Sequence, residues 1–300
     1  MRRLQAWEAR GLCCVLALGL GSCLPKDTRP TPGTLHVTVT GDESLRSGFD
    51  TDDGWHIRYQ RFLMTIGRVS IMGNSCNEYS EGGGDGYSRI LDLLQPGPQK
   101  LTVLYAIGGC EFEFRIGNPA PGSVLGEGVT EADKTFFRTP GSDAYVKDGG
   151  VTAQIEGTAT QGGRTKRFNW VFRRSASYTQ CSVGDAGPVG FVFRGGHVDT
   201  ADIGIDGKVL FADGADPHSA SLRFEPFATA DEEGNADGEI SLDELSAIPE
   251  SIPVLLSPDA GVADAGTSST LEEALYLGLV PRIVRFEETG MCTVGDRFRR

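Results

Sequence analysis

Residues 55–72 read WHIRYQRFLMTIGRVSIM, and no other stretch limits the possible folds of this chain as strongly. Trp55, Ile57 and Tyr59 alternate with His56, Arg58 and Gln60. The phase then blurs across Phe62, Leu63 and Met64 and resumes through Ile66, Val69 and Ile71. Alternation places successive side chains on opposite faces of a strand, and its phase changes only where a residue is inserted. The stretch therefore predicts two strand segments joined by a bulge or kink near 61–63. Met64, inside an apolar strand, reads as core.

The same pattern recurs in shorter pieces. Leu35, Val37 and Val39 mark one strand, Leu101, Val103 and Tyr105 another, and Phe112, Phe114 and Ile116 a third. Residues 151–160 and 165–174 predict a hairpin around Gln161-Gly162-Gly163, with Phe168, Trp170 and Phe172 on one face. Further strands are expected over 190–194 and 197–211. Residues 117–150 read as loop, with Phe136 and Phe137 turned inward. Glycine runs such as that in 73–87 carry no phosphate-loop context and read as connections. Many short alternating strands with glycine punctuation predict a mostly β fold, an antiparallel β-sandwich or flattened barrel over 34–215. From about Asp216 the texture changes. A short helix over 219–230, interrupted near Pro226, and a second over 242–248, stopped by Pro249, are expected. After a loop over 257–268, a third is opened by Ser269-Thr270-Leu271-Glu272 and broken at Pro281. Residues 216–300 thus form a small helical, EF-hand-like appendage packed on the β domain.

The N-terminus supplies a compartment. Arg2, Arg3 and Arg10 precede the apolar run Gly11–Leu20, which is too short to span a bilayer, and Leu20-Gly21-Ser22-Cys23 follows. That order is a lipoprotein signal peptide over 1–22, cut before a lipidated Cys23. Residues 23–33, with Pro25, Pro30, Pro32 and Gly33, are then an extended tether. Leu24, in place of an aspartate, directs the expectation to the outer membrane or cell envelope. A net charge of −13 argues against nucleic acid and against electrostatic adsorption to anionic lipid, so the lipid anchor is the expected membrane partner. With Cys13 and Cys14 in the signal, Cys76, Cys110, Cys181 and Cys292 remain, an even number suited to two disulfides in an oxidising compartment. Four cysteines allow three pairings. The pairing expected is Cys76–Cys110, between neighbouring loops, with Cys181–Cys292 tying the C-terminal segment back.

One stretch carries ligand chemistry. Residues 233–244, EGNADGEISLDE, align on Gly238 with the twelve-residue EF-hand loop. Glu233 falls at the first ligand position, Asn235 and Asp237 at the next two, and Glu239 offers its carbonyl. Ser241 is a direct or water-mediated ligand and Glu244 the bidentate carboxylate. Calcium is the cofactor this predicts, although Glu233 stands where an aspartate is usual. The competing reading is an acidic turn before a helix that Ser241 and Glu244 cap. His36, His56, His197 and His218 form no ligand spacing. His197 and His218 flank one β segment, and a copper-associated periplasmic protein using them is the alternative function. Common hydrolase and phosphate-loop motifs are missing, and the chain reads as no enzyme but a binding or structural module with an unknown protein or ligand partner.

Three stretches, DGWHIRYQRFLMTIGRVSI (53–71), LRFEPFATADEEGNADGEISLDEL (222–245) and LEEALYLGLVPRIVRFEETGMC (271–292), give the chain a resemblance. It resembles a family of uncharacterised Gram-negative outer-envelope lipoproteins with an EF-hand-like loop and, more remotely, MbnP-like periplasmic metal-associated proteins. The family pattern implies histidines before that loop and another just before the last cysteine. Here Ile205-Asp206-Gly207-Lys208 and Met291 occupy those places, so copper binding is not carried over.

Overall fold

The computed structural model describes residues 30–79, 87–182, 190–213, 220–249, 253–254, 266–267, 270–287 and 290–295. The segment read as a signal peptide, Cys23, most of the segment read as a tether, His218 and most of the 257–268 segment lie outside the described residues.

In chain order come β1 (Gly33–Gly41), α1 (Glu43–Ser47), β2 (Phe49–Asp50), β3 (His56–Met72), β4 (Asn77–Glu78), β5 (Ser88–Asp92) and β6 (Gln99–Ile116). Next are β7 (Val124–Leu125), α2 (Glu131–Arg138), β8 (Ala153–Gln161), β9 (Arg164–Phe172), β10 (Ala176–Ser182), β11 (Gly190–Phe193) and β12 (Val198–Ile205). The C-terminal part holds α3 (Glu225–Glu233), β13 (Glu239–Ile240), α4 (Leu242–Leu245), β14 (Pro253–Val254), β15 (Gly266–Thr267), α5 (Leu271–Glu273), β16 (Val284–Phe286) and β17 (Met291–Gly295). Fifteen of these strands form one sheet with the spine β13-β9-β8-β3-β6-β1-β12-β16, while β14 and β15 pair with each other. The fold is mostly β, as expected, and the sheet curls into a half-barrel. It is mixed rather than purely antiparallel, because β1 runs parallel to β12 and β13 parallel to β9. Pro32–Arg300 is one compact unit, and the segment read as an appendage contributes β13, β16 and β17 to the sheet.

β3 explains its own sequence. Its register with β8 shifts between Tyr59 and Arg61, the irregularity its phase change predicts. The blurred run has a second cause: Phe62, Met64 and Ile66 enter the main core, while Leu63 packs on the other side with Ile90, Phe137 and Val151. A strand buried on both faces loses its alternation. A second shift, against β6 between Gly67 and Ser70, went unseen in the sequence.

Several expectations change. Pro226 sits in the first turn of α3 and starts that helix, because its missing N–H falls where no intrahelical bond is made. Residues 207–211, read as strand, form a 3-10 turn. The 117–150 segment contains α2, opened by a capping box of Thr130 and Asp133; Phe137 is buried as expected, while Phe136 is exposed. The third C-terminal helix is capped by Thr270 on the N–H of Glu273 and widens after one turn into a π-helix over Ala274–Leu279.

Candidate functional site

The EF-hand-like segment hangs from β9, whose core-facing row runs Arg164, Lys166, Phe168, Trp170 and Phe172. The aromatic end of that row packs with Phe211, Phe224 and Phe227, and Trp170 Nε1 donates to the carbonyl of Ile240 at 3.0 Å. The cationic end meets the acidic face of α3. Arg164 stacks 4.6 Å over the Trp55 ring and bonds Glu225 at 3.0 Å and Glu232 at 2.7 Å. Those hydrogen bonds hold the carboxyls of Glu225 and Glu232 below their usual range. Trp55 Nε1 also donates to Glu225 at 2.8 Å. The N-terminus of α3 is capped from far along the chain: Asp53 Oδ2 accepts from the N–H groups of Phe224 and Glu225, each at 2.8 Å. A carboxylate there satisfies orphan donors and complements the helix dipole.

The loop itself has the form the sequence predicts. Ala236 and Gly238 take positive φ values of 56° and 81°, and only glycine adopts the second without cost. Asn235 Oδ1 accepts from the N–H of Asp237 at 2.9 Å, and Asp237 Oδ1 from that of Glu239 at 2.8 Å. Glu239 and Ile240 then pair with Arg167 and Phe168 as a short parallel strand. Ser241 and Glu244 form the capping box of α4, and Glu244 also reaches back to the N–H of Asn235 at 3.3 Å.

The residues that close the loop are not all those the motif names. Glu233 is exposed at the end of α3. The carboxylate beneath the turn belongs to Asp231, fully buried, whose Oδ1 accepts from the N–H of Gly238 at 3.0 Å and whose carbonyl accepts from Ala236. Its Oδ2 pairs with the ammonium of Lys166, which also lies 3.4 Å from Glu232. Burial alone would lower Lys166, but hydrogen bonds and charge from Asp231 and Glu232 outweigh it and raise the ammonium above its usual value. Among the described residues no three His, Cys, Asp or Glu side chains converge as a metal set. Glu233, Asn235, Asp237, Glu239, Ser241 and Glu244 thus share one turn, but its buried carboxylate already holds an internal cation. Asp231 was legible only as one member of the stripe Phe227, Ala228, Ala230, Asp231 that α3 turns inward.

The four cysteines pair as expected, Cys76 with Cys110 and Cys181 with Cys292, at S–S distances of 2.00 and 2.03 Å. His197 is exposed and bonds Asp199 at 3.2 Å. No protein-family description, curated protein or solved structure matches the chain.

Proposed function

We propose that the chain is a lipid-anchored cell-envelope protein, a binding or structural module whose β domain rests its outer face against the bilayer that holds the anchor. The observation that supports this is an apolar row at the start of β1. Tyr105 on β6 stands opposite Thr34 on β1, and Thr34 opposite Val198 on β12. Tyr79 follows β4 and bonds to Tyr105, which extends the row by one residue. Leu35 and Leu104, next along β1 and β6, are fully buried, so this row turns away from the core. Tyr79 and Tyr105 are each 43% exposed and Val198 58%. Tyrosines with an apolar body and a polar tip suit the headgroup boundary of a membrane. Gly33, where β1 begins, lies ten residues after Cys23, a reach of at most about 35 Å in extended chain.

Two measurements separate the parts of this proposal. Cys23→Ser should release the protein from the membrane fraction; retention would remove the anchor from it. In the anchored protein, Val198→Trp should be quenched by lipids brominated near the headgroup. Trp55 and Trp170 are fully buried and provide a quiet background. Anchored protein whose Val198→Trp emission ignores the brominated lipid would refute the orientation while leaving the anchor intact.

A further inference from the structure

Where β1, β12 and β16 lie side by side, the outer face of the sheet holds a cavity of about 230 Å³ whose walls include Thr40, Asp42, Asp202, Lys208 and Arg285. Its floor is Gly204, which pairs with Thr40 on β1 and with Arg285 on β16. Val39, Ile203 and Ile205 are buried, so Thr40, Asp202 and Gly204 turn away from the core. From Thr34 to Thr40 β1 rises about 20 Å, which sets the cavity apart from the row proposed to meet the membrane. Gly204 is the first sign of a ligand. Its φ lies outside the left-handed region, and a Cβ there would meet only Arg285 Cβ at 3.5 Å and the Arg285 carbonyl at 3.9 Å, ordinary contact distances. Neither backbone nor neighbours demand a glycine, and glycine weakens a strand interior. A side chain at this position would stand in the cavity, and a strand glycine of this kind marks where something else approaches the backbone.

The second sign is the state of the charged groups around that floor. Asp206 is buried; its Oδ2 accepts from Arg285 Nη2 at 2.5 Å and its Oδ1 from the N–H of Lys208 at 3.1 Å. This leaves Arg285 Nη1 without a hydrogen-bond partner among the described residues, and that nitrogen, unlike Nε, remains accessible. Lys208 Nζ stands 3.9 Å from Asp42 Oδ1, beyond hydrogen-bond reach, on a side chain 37% exposed. On β12, Asp202 accepts the hydroxyls of Thr38 at 2.5 Å and Thr40 at 2.9 Å, both on Oδ1. Its Oδ2 has no partner among the described residues and is accessible too. Two threonines thus fix the carboxylate by one oxygen and leave the other to the cavity.

Open donors and an open acceptor, with Gly204 between Asp202 and the Asp206–Arg285 pair, suit a molecule that carries both charges. A lone anion would gain Lys208 and Arg285 but face Asp42, Asp202 and Asp206. A lone cation would gain Asp202 but face the lysine and the arginine. A zwitterion makes a charge-assisted hydrogen bond with each set and meets no unanswered like charge. The cavity is smaller than the roughly 300–1,000 Å³ of sites that enclose drug-sized molecules, which suits a ligand of amino-acid size. We propose that this cavity binds a free α-amino acid, its carboxylate on Lys208 and Arg285 Nη1 and its ammonium on Asp202 Oδ2. This goes beyond the membrane reading and does not depend on it.

The test is thermal melting of the full chain with each standard amino acid at millimolar concentration, then titration calorimetry with the strongest. At least one should raise the melting temperature. Its N-acetyl derivative and its methyl ester, which lack the ammonium and the carboxylate in turn, should not. Lys208→Met and Asp202→Asn, which keeps an acceptor for both threonine hydroxyls, should each weaken binding about ten- to a hundredfold, the range of a lost charged hydrogen bond. Gly204→Val should melt at or above the wild-type temperature, because a β-branched residue favours a strand, yet lose the ligand because its side chain fills the floor. A glycine kept only for the fold would not give that crossed result. Should Gly204→Val fail to fold, Lys208→Met and Asp202→Asn decide. Wild type indifferent to every amino acid, derivatives that bind as well as their parent, or folded variants with undiminished binding overturn the proposal.

Discussion

Replacing Lys166 by methionine tests what closes the acidic loop. The lysine side chain is 10% exposed and Asp231 not at all, so the substitution keeps the aliphatic bulk and strands a buried carboxylate. Breaking a buried pair from one side costs about 3–5 kcal/mol, because the remaining charge is left buried without the partner that offset it. Asp231 retains the Gly238 N–H, which places the expectation at the lower end, near ~3 kcal/mol. At roughly 2–4 °C per kcal/mol for a chain of this size, the melting temperature should fall by about 6–12 °C. The companion variant Lys166→Met/Asp231→Leu removes both charges and should recover most of the loss, since an apolar pair of similar volume often replaces a buried ion pair at little cost. Melts followed by near-UV circular dichroism, in EDTA and in millimolar calcium, complete the design. Lys166 is raised in the folded state, so its contribution is fully present below the unfolded lysine value near 10.4 and is lost as pH climbs through the folded value. The pair therefore holds across neutral pH. A loss under about 1 kcal/mol, or calcium restoring the single variant to wild-type stability, would refute the internal-cation account, the first because that is all an exposed pair contributes.

Other outcomes follow from features already described. Cys292→Ala opens a loop with a sequence separation of 111 and should cost about 5 kcal/mol in the chain-entropy account, against about 4 for Cys76→Ala with a separation of 34; denaturant titration gives both values. Thr130→Ala removes the cap of α2 and should cost about 1 kcal/mol. At the same cap, Asp133 is desolvated, which alone would raise it, but Thr130 and Arg61 lower it further. Its contribution is present above the ordinary aspartate value near 3.9 and disappears as pH falls through the folded value, so an acid titration of stability should flatten there in Asp133→Asn. Tyr276→Phe removes the acceptor for the Arg173 and Arg174 N–H groups and the donor to Asp143, and should cost about 1–3 kcal/mol by chemical denaturation.

What the residues disclosed in advance was local or periodic. β3, the hairpin of β8 and β9, and the irregularity at Tyr59–Arg61 follow from alternation, which is a property of adjacent side chains. The turn at Gly238 and the Ser241–Glu244 cap are encoded within a dozen residues. The parts that escaped depend on distant chain. Pro226 reads as a breaker until Asp53 is known to cap the same turn. Asp231 reads as an ordinary helix acid until Lys166 arrives from β9, 65 residues earlier. The bulge at Arg68 is marked only by the one-residue phase change from Ile66 to Val69, which the blurred run before it masks. A parallel neighbour for β1 has no periodic signature at all.

That parallel pairing governs the order in which the domain can assemble. β1 lies between β6 and β12, and Thr38 bonds Asp202 across 164 residues of sequence. As the chain emerges N-terminus first, β1 can zip onto β6 early, but its other edge stays open until β12 is made. Contacts of such separation demand loop closure before they return any stability, which places this edge among the late and slow steps of folding. A fragment that ends before Val198 would therefore present an unpaired β1 edge to other chains, the geometry from which strand-swapped dimers and aggregates grow.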